Sequence, residues 1–292
     1  DGRVTGWNMK ARAAAFGGYA AVLILPFIIS GAIGRKYEDA MSSDEMLDVL
    51  IIQPNIDPYN KFQAMTQAQQ NGLLLSMAEK ALKDRKHDST AAPLLIVAPE
   101  TFTSDIICGE YPRSRTWKGI TAFLKDYPNV NMVFGASSYE YFDSKERPSY
   151  NARQLNDGRW VESHNSALIT DGTARTEIFH KSKLVVAVEK TPYPALFTRI
   201  DDMLGGVMGR CVGQDEVSLL NVRTIEGETV PIGCAVCYES VYGEYYTDYI
   251  RKGARAMTII TNDAWWGDTP GYRQHLSYAS LRAIETRRAI AR

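Results

Sequence analysis

The spacing of hydrophobic positions changes along the chain, from one continuous run to short runs separated by helical stripes. From Ala13 to Gly34 twenty-two residues pass without a charge, AAAFGGYAAVLILPFIISGAIG. As a helix this stretch would be about 33 Å long, against a hydrocarbon core of roughly 30 Å. It lacks the polar face of an ordinary core helix. It is also longer than the roughly 7–15 apolar residues of a secretion signal. Lys10 and Arg12 flank one end, Arg35 and Lys36 the other. The pattern predicts a juxtamembrane loop over 1–12, a membrane-spanning helix over 13–34 and a linker over 35–45. Gly17, Gly18 and Pro26 are tolerated in such a helix, and Pro26 is expected to kink it.

From about Met46 the chain alternates strand and helix signals. Strands are expected at Leu47–Gln53, Leu94–Ala98, Val130–Ser137 and Ala256–Thr261, with helices at Lys61–Lys86, Ser114–Tyr127, Val241–Lys252 and Tyr272–Ala291. Asn165–Thr170 and Thr176–Lys181 flank Asp171-Gly172-Thr173, and Val217–Val222 and Val230–Val236 flank Glu226-Gly227-Glu228. Both read as hairpins. Tyr139–Trp160 is polar and turn-rich and reads as an irregular excursion. Near-continuous apolar strands alternating with helices predict an α/β layered domain over 46–292, with mixed sheets because of the hairpins.

Composition adds limits. The 292 residues carry 33 Lys+Arg against 34 Asp+Glu, for a net charge of −1, and are 45% hydrophobic. That excludes disordered and low-complexity classes and leaves no electrostatic footprint for nucleic acid. The mean hydropathy of −0.25 hides the one apolar run. Because the chain starts at Asp1 rather than Met and stops at Arg292 in what reads as a helix, it is expected to be a fragment of a longer multi-pass membrane protein.

Several expected strands end in reactive groups. Ala98-Pro99-Glu100-Thr101 places a carboxylate after one, His180-Lys181-Ser182-Lys183 an ammonium after another, and Cys237-Tyr238-Glu239 a thiol after a third. A thiol near pKa 8.5 needs a base or a cation to become a nucleophile. A carboxylate can take its proton, and an ammonium can stabilise the oxyanion that follows. Thr261-Asn262-Asp263-Ala264-Trp265-Trp266-Gly267 closes a fourth strand, and its tryptophans fit either an acyl-pocket wall or core packing.

Cys234 and Cys237 form a Cys-x-x-Cys pair, but positions i and i+3 of a strand face opposite ways. Cys234 therefore reads as core rather than as redox or zinc chemistry. Zinc would want a second close Cys/His pair, and Cys108 and Cys211 have none nearby in sequence. No metal site and no cofactor is expected. Spacing leaves open whether Cys108 and Cys211 are paired. His180 and His275 read as packing or supporting residues.

Taken together, Glu100 in Pro-Glu-Thr, Lys181 in Lys-x-x-Leu-Val and Cys237 in Cys-Tyr-Glu resemble the Glu-Lys-Cys triad of the nitrilase superfamily. Glu189, eight residues after Lys181, stands where that superfamily has a second essential glutamate. Asn262-Asp263-Ala264-Trp265, then Gln274-His275 and Arg282-Ala283-x-Glu285, resemble the apolipoprotein N-acyltransferases within it. Two departures from that pattern stand out: Val186-Ala187-Val188 where many members have Pro-Phe-Gly before the glutamate, and Ala98 where a tryptophan is often found.

The resemblance implies an α-β-β-α sandwich preceded by one membrane helix and catalysing acyl transfer through a thioester on Cys237. Glu100 would be the base, Lys181 the oxyanion donor, and Glu189, Tyr238 and Glu239 supporting residues. Asn262, Trp265 and Trp266 would bind substrate. The implied partners are a phospholipid donor, a diacylglyceryl apolipoprotein acceptor and membrane lipid. The implied place is the bacterial cytoplasmic (inner) membrane, with the catalytic domain on the periplasmic side. A membrane-tethered amidohydrolase and a catalytically silent lipid- or lipoprotein-binding member are the alternatives.

Overall fold

The computed structural model describes residues 8–41, 47–57, 61, 65–84, 93–203 and 209–292. The chain divides into two compact units, Asp1–Met46 and Leu47–Arg292. In the first, α1 (Met9–Met41) is a single helix with Pro26 inside it. Asn8 caps it, its side-chain oxygen accepting from the Ala11 N–H at 2.9 Å. The cap starts the helix within the expected loop, four residues before the uncharged run, and the helix continues to Met41 within the expected linker. Residues 1–7 of that loop and 42–45 of that linker lie outside the described residues. Met9–Arg35 is long and apolar enough to cross a membrane.

The second unit holds two sheets. In the first sheet β1 (Asp48–Ile51), β2 (Leu94–Val97) and β4 (Val130–Phe142) run parallel, and β4 pairs antiparallel with β6 (Trp160–Asp171). β3 (Thr103–Ile107) adds to the far half of β4. β5 (Arg153–Gln154) and β7 (Thr176–His180) pair with opposite halves of β6. The second sheet is ordered β8 (Leu220–Arg223), β9 (Thr229–Val236), β10 (Ala256–Ile260) and β11 (Ile290–Ala291). Both hairpins form where the Gly-containing turns place them, as antiparallel β6–β7 and β8–β9.

Leu94–Val97 is buried at every position because both its faces are covered, which is why it reads as an unbroken apolar run. Leu95 and Val97 join Val133, Phe179, Ile232 and Ile259 between the sheets. Leu94 and Ile96 face the other way and pack with Leu74 of α2 (Gln67–Asp84) and with Trp117 and Ile120 of α3 (Arg115–Leu124). Beyond the second sheet lie α5 (Gly243–Arg251), whose Tyr249 hydroxyl donates to the Cys234 carbonyl at 3.0 Å, and α6 (Gly271–Thr286). The order of layers is α-β-β-α.

Three expectations change, and two elements are new. Tyr139–Trp160 is not wholly irregular: Tyr139–Phe142 extend β4, and Arg153–Gln154 form β5. Backbone pairing with the long β6 supplies the order that a polar composition concealed. β3 and α4 (Pro194–Met203) had no clear periodic signal. The expected helix from Lys61 starts instead at Gln67; its positions 62–64 and 85–86 lie outside the described residues. The last helix stops at Thr286, where Arg287 adopts φ +50°, and the chain turns into β11 beside β10.

Candidate active site

Lys181 and Cys237 directly follow β7 and β9, Glu100 lies three residues past the end of β2, and the layered fold brings them together. Glu100 sits in a turn bound tightly to β4. The Gly135 N–H donates to the Pro99 carbonyl at 3.0 Å, and the Phe102 N–H to the Gly135 carbonyl at 2.9 Å. Thr101 in this turn has φ +44°. An ideal Cβ on Gly135 would stand 2.5 Å from the Thr101 nitrogen and 2.6 Å from the Glu100 Cα. Only glycine lets the strand approach the turn this closely.

Lys181 is 1% exposed. Its ammonium donates to Glu189 Oε1 at 3.0 Å and lies 3.5 Å from Glu100 Oε1. Burial disfavours the ammonium, but Glu100 and Glu189 outweigh it and raise its pKa, so it stays charged. The Asn165 side-chain amide donates to Glu100 at 2.8 Å and to Glu189 at 2.7 Å, bridging the two carboxylates. The Asn262 N–H reaches Glu100 Oε2 at 3.3 Å.

Cys237 has φ +54°, a left-handed conformation that costs a non-glycine residue about 1–3 kcal/mol. Its carbonyl is held by the Ser240 hydroxyl at 2.9 Å and by His275 Nε2 at 3.1 Å. His275 Nδ1 lies 2.8 Å from Asp263 Oδ1, and Arg292 pairs with the other Asp263 oxygen at 2.5 Å. Burial tends to raise the Asp263 pKa, but the His275 hydrogen bond and the Arg292 charge win and lower it. Glu100 and the Thr261 hydroxyl lie beside the Cys237 thiol. Burial and the Glu100 charge push it up to about 12, against the pull of Lys181. The shift favours the protonated thiol at neutral pH.

Glu239 ties the lysine and cysteine segments together. It accepts from the backbone N–H of Ser182 at 2.7 Å, of Lys183 at 3.0 Å and of Val236 at 2.8 Å, and from the Tyr245 hydroxyl at 2.8 Å. Burial nonetheless raises its pKa. Tyr238 points outward and packs edge-on against Tyr242. Despite Val186-Ala187-Val188, the loop closes on itself with Ala187 at φ +70°, and Val185 N–H donates to Glu189 Oε2 at 2.8 Å. Trp265 and Trp266 are 57% and 42% exposed on a short 3-10 turn, so they are not core, and neither lines the cavity beside Glu100. A cavity of about 560 Å³ opens beside Glu100, lined in part by Phe102, Ile260, Asn262, Tyr272 and Leu276. Lys61 also lines it and donates to the Thr101 carbonyl. Burial pushes Lys61 down to about 8, although Glu100 opposes the shift.

Sequence reasoning missed the roles of Asn165 and Gly135, and named Thr261, Asp263 and His275 without the contacts that join them to Cys237 and Arg292. Asn165 opens the strand segment Asn165–Thr170 beside Ser166, and nothing local set it apart. All four cysteines are free thiols, with Cys234 buried and Cys237 half-buried.

The α-β-β-α layering defines the class of protein. A nitrilase-superfamily structure from Saccharomyces cerevisiae, a member of branch 10, has the same fold at a TM-score of 0.50 and 15% identity, covering 77% of this chain and 70% of that one. Residues 51–292 match the carbon-nitrogen hydrolase family, and the chain belongs to it. Its curated relatives include two proteins called apolipoprotein N-acyltransferase. The one from Chlorobaculum tepidum is 26% identical over 84% of this chain and 44% of its own length. The one from Geobacter metallireducens is 26% identical over 93% of this chain and 46% of its own length. The chain thus spans about half the length of these relatives.

Proposed function

We propose that this chain carries the catalytic centre of a membrane N-acyltransferase that matures lipoproteins. The observation behind the reading is the meeting of a neutral, strained Cys237, the Glu100 carboxylate and the buried Lys181 ammonium at three strand ends. The relatives' shared name supports transfer to an amine, and the apolar helix α1 supports a membrane setting.

In this mechanism Glu100 takes the thiol proton as Cys237 Sγ bonds to the acyl carbon of a phospholipid ester. Lys181 stabilises the oxyanion. The ester C–O bond breaks, and Glu100 returns its proton to the departing lysophospholipid hydroxyl. The free amine of a diacylglyceryl-cysteine then attacks the thioester. Its C–N bond forms as the C–S bond breaks, and a proton passes through Glu100 back to the thiol. Glu189 and Asn165 hold Lys181 and Glu100 in place, Glu239 holds the two loops, and Trp265 and Trp266 meet the acyl chain. The unit Leu47–Arg292 would work at the periplasmic face of the cytoplasmic membrane.

Intact-mass measurement after incubation with phospholipid tests the reading. An acyl-sized increment should appear on wild type and on Cys234→Ala, and be absent from Cys237→Ala. It should persist without acceptor and discharge when a diacylglyceryl-cysteine peptide with a free amine is added. Rapid release of free fatty acid without acceptor would make the enzyme a hydrolase, and an increment on Cys234 would move the nucleophile.

A further inference from the structure

Behind the catalytic face, the first sheet presents a second group of reactive side chains. Ala167 and Ile169 of β6 and Phe179 of β7 face the second sheet, whereas Leu168 and Ile178 face the helices. By the same alternation Asn165 and Lys181 lie on the inner face, while His164, Ser166 and His180 lie on the outer one. Ser138 of β4, paired with His164, and Cys108 just beyond β3 complete that outer group. One ring nitrogen from each histidine and the Cys108 sulfur lie within 4.8 Å of one another, and His164 with Glu140 and Glu162 forms an overlapping set.

The histidines are held as ligands are held. His164 is 5% exposed, and its Nδ1 is 2.7 Å from the Val212 carbonyl. A carbonyl only accepts, so Nδ1 carries the proton and Nε2 of the neutral ring carries a lone pair. That buried Nε2 has no hydrogen-bond partner, and the Glu140 carboxylate stands 4.0 Å away. The His180 ring stacks on His164 at 4.1 Å between centroids, and its Nδ1 is fixed by the Ser166 hydroxyl at 2.7 Å, which in turn meets Ser138 at 2.7 Å. Fixing one ring nitrogen so that the other faces an ion is the usual support of a metal-bound imidazole.

We propose that Cys108, His164 and His180 form a binding site for a borderline-soft divalent cation such as Zn²⁺, with the Glu140 carboxylate available as a fourth ligand. Sulfur, two imidazoles and one carboxylate suit tetrahedral zinc. Binding releases the Cys108 thiol proton to solvent. The ion would clamp β3, β6 and β7 at the residues that immediately precede Asn165 and Lys181. The site is independent of the acyl-transfer reading, so either can fail alone.

The full chain in detergent, freed of metal by a chelator, is titrated with Co²⁺ and then Zn²⁺. The expected result is one equivalent of Co²⁺ bound with a thiolate-to-cobalt charge-transfer band, displaced by Zn²⁺. Cys108→Ser should abolish the band, Cys237→Ala should keep it, and Ser166→Ala should weaken Zn²⁺ binding about 10–100-fold. His180→Asn gives a second reading of the same loss should Cys108→Ser misfold by circular dichroism. No band in folded wild type, a band that survives Cys108→Ser or His180→Asn, or one that vanishes in Cys237→Ala would overturn the site.

Discussion

Gly135→Ala tests whether close approach of β4 to the Glu100 turn sets the catalytic geometry. The added Cβ would stand 2.5 Å from the Thr101 nitrogen, 2.6 Å from the Glu100 Cα and 2.7 Å from the Pro99 oxygen, where ordinary contact begins at 3.4 Å. The turn must therefore retreat by 3.4 − 2.5 = 0.9 Å. All three atoms are backbone, so no side-chain rotation relieves the clash. Overpacking of this kind costs about 1–3 kcal/mol, whereas alanine recovers only about 0.4–1 kcal/mol by restricting the unfolded chain. The clash wins by about 1–2 kcal/mol, a fall in melting temperature of about 2–8 °C for a unit of this size. The rate should fall more steeply, because a displacement near 1 Å at a reacting group costs about 10²-fold. Thermal melts and single-turnover acylation of Cys237, followed by intact mass, measure the two effects. Wild-type acylation in a folded Gly135→Ala protein would refute the reasoning.

Other expectations concern charge and burial. With its pKa near 12, Cys237 should be alkylated by iodoacetamide at pH 8.5 about 10³-fold more slowly than a free thiol. Glu100→Gln removes a charge that raises this pKa, so it should speed alkylation while suppressing acylation; a wild-type alkylation midpoint near pH 8.5 would contradict both. Cys234, also pushed up to about 12 by burial, stays protonated in the fold after its unfolded counterpart ionises. Its contribution to stability is complete below about pH 9 and is lost as pH rises toward 12, at about 1.4 kcal/mol per unit; urea melts of Cys234→Ala should lose that slope. Glu239→Ala strands four donors at about 1–3 kcal/mol each, and chemical denaturation should find it far more damaged than a surface Glu→Ala such as Glu226→Ala.

By itself the sequence determined the local elements and offered the candidate reactive groups. An uncharged run of membrane length, apolar strand runs and Gly-containing turns are read from near neighbours, and Glu100, Lys181 and Cys237 stood out at strand ends in a known order. Only the tertiary structure decided what those groups meet. Asn165 joins Glu100 to Glu189 across separations of 65 and 24 residues, and Asp263 and His275 reach back to the Cys237 carbonyl. Polar contacts made across the sandwich leave no periodicity along the chain. The strand β11 inside an expected helix, and order in the polar Tyr139–Trp160 segment, likewise depended on distant backbone partners. Cys108 has no histidine nearby in sequence, yet pairing of β4 with β3 and β6, and of β6 with β7, brings His164 and His180 to it. Sheet register, set by the whole fold, places such residues together, and no local window contains it.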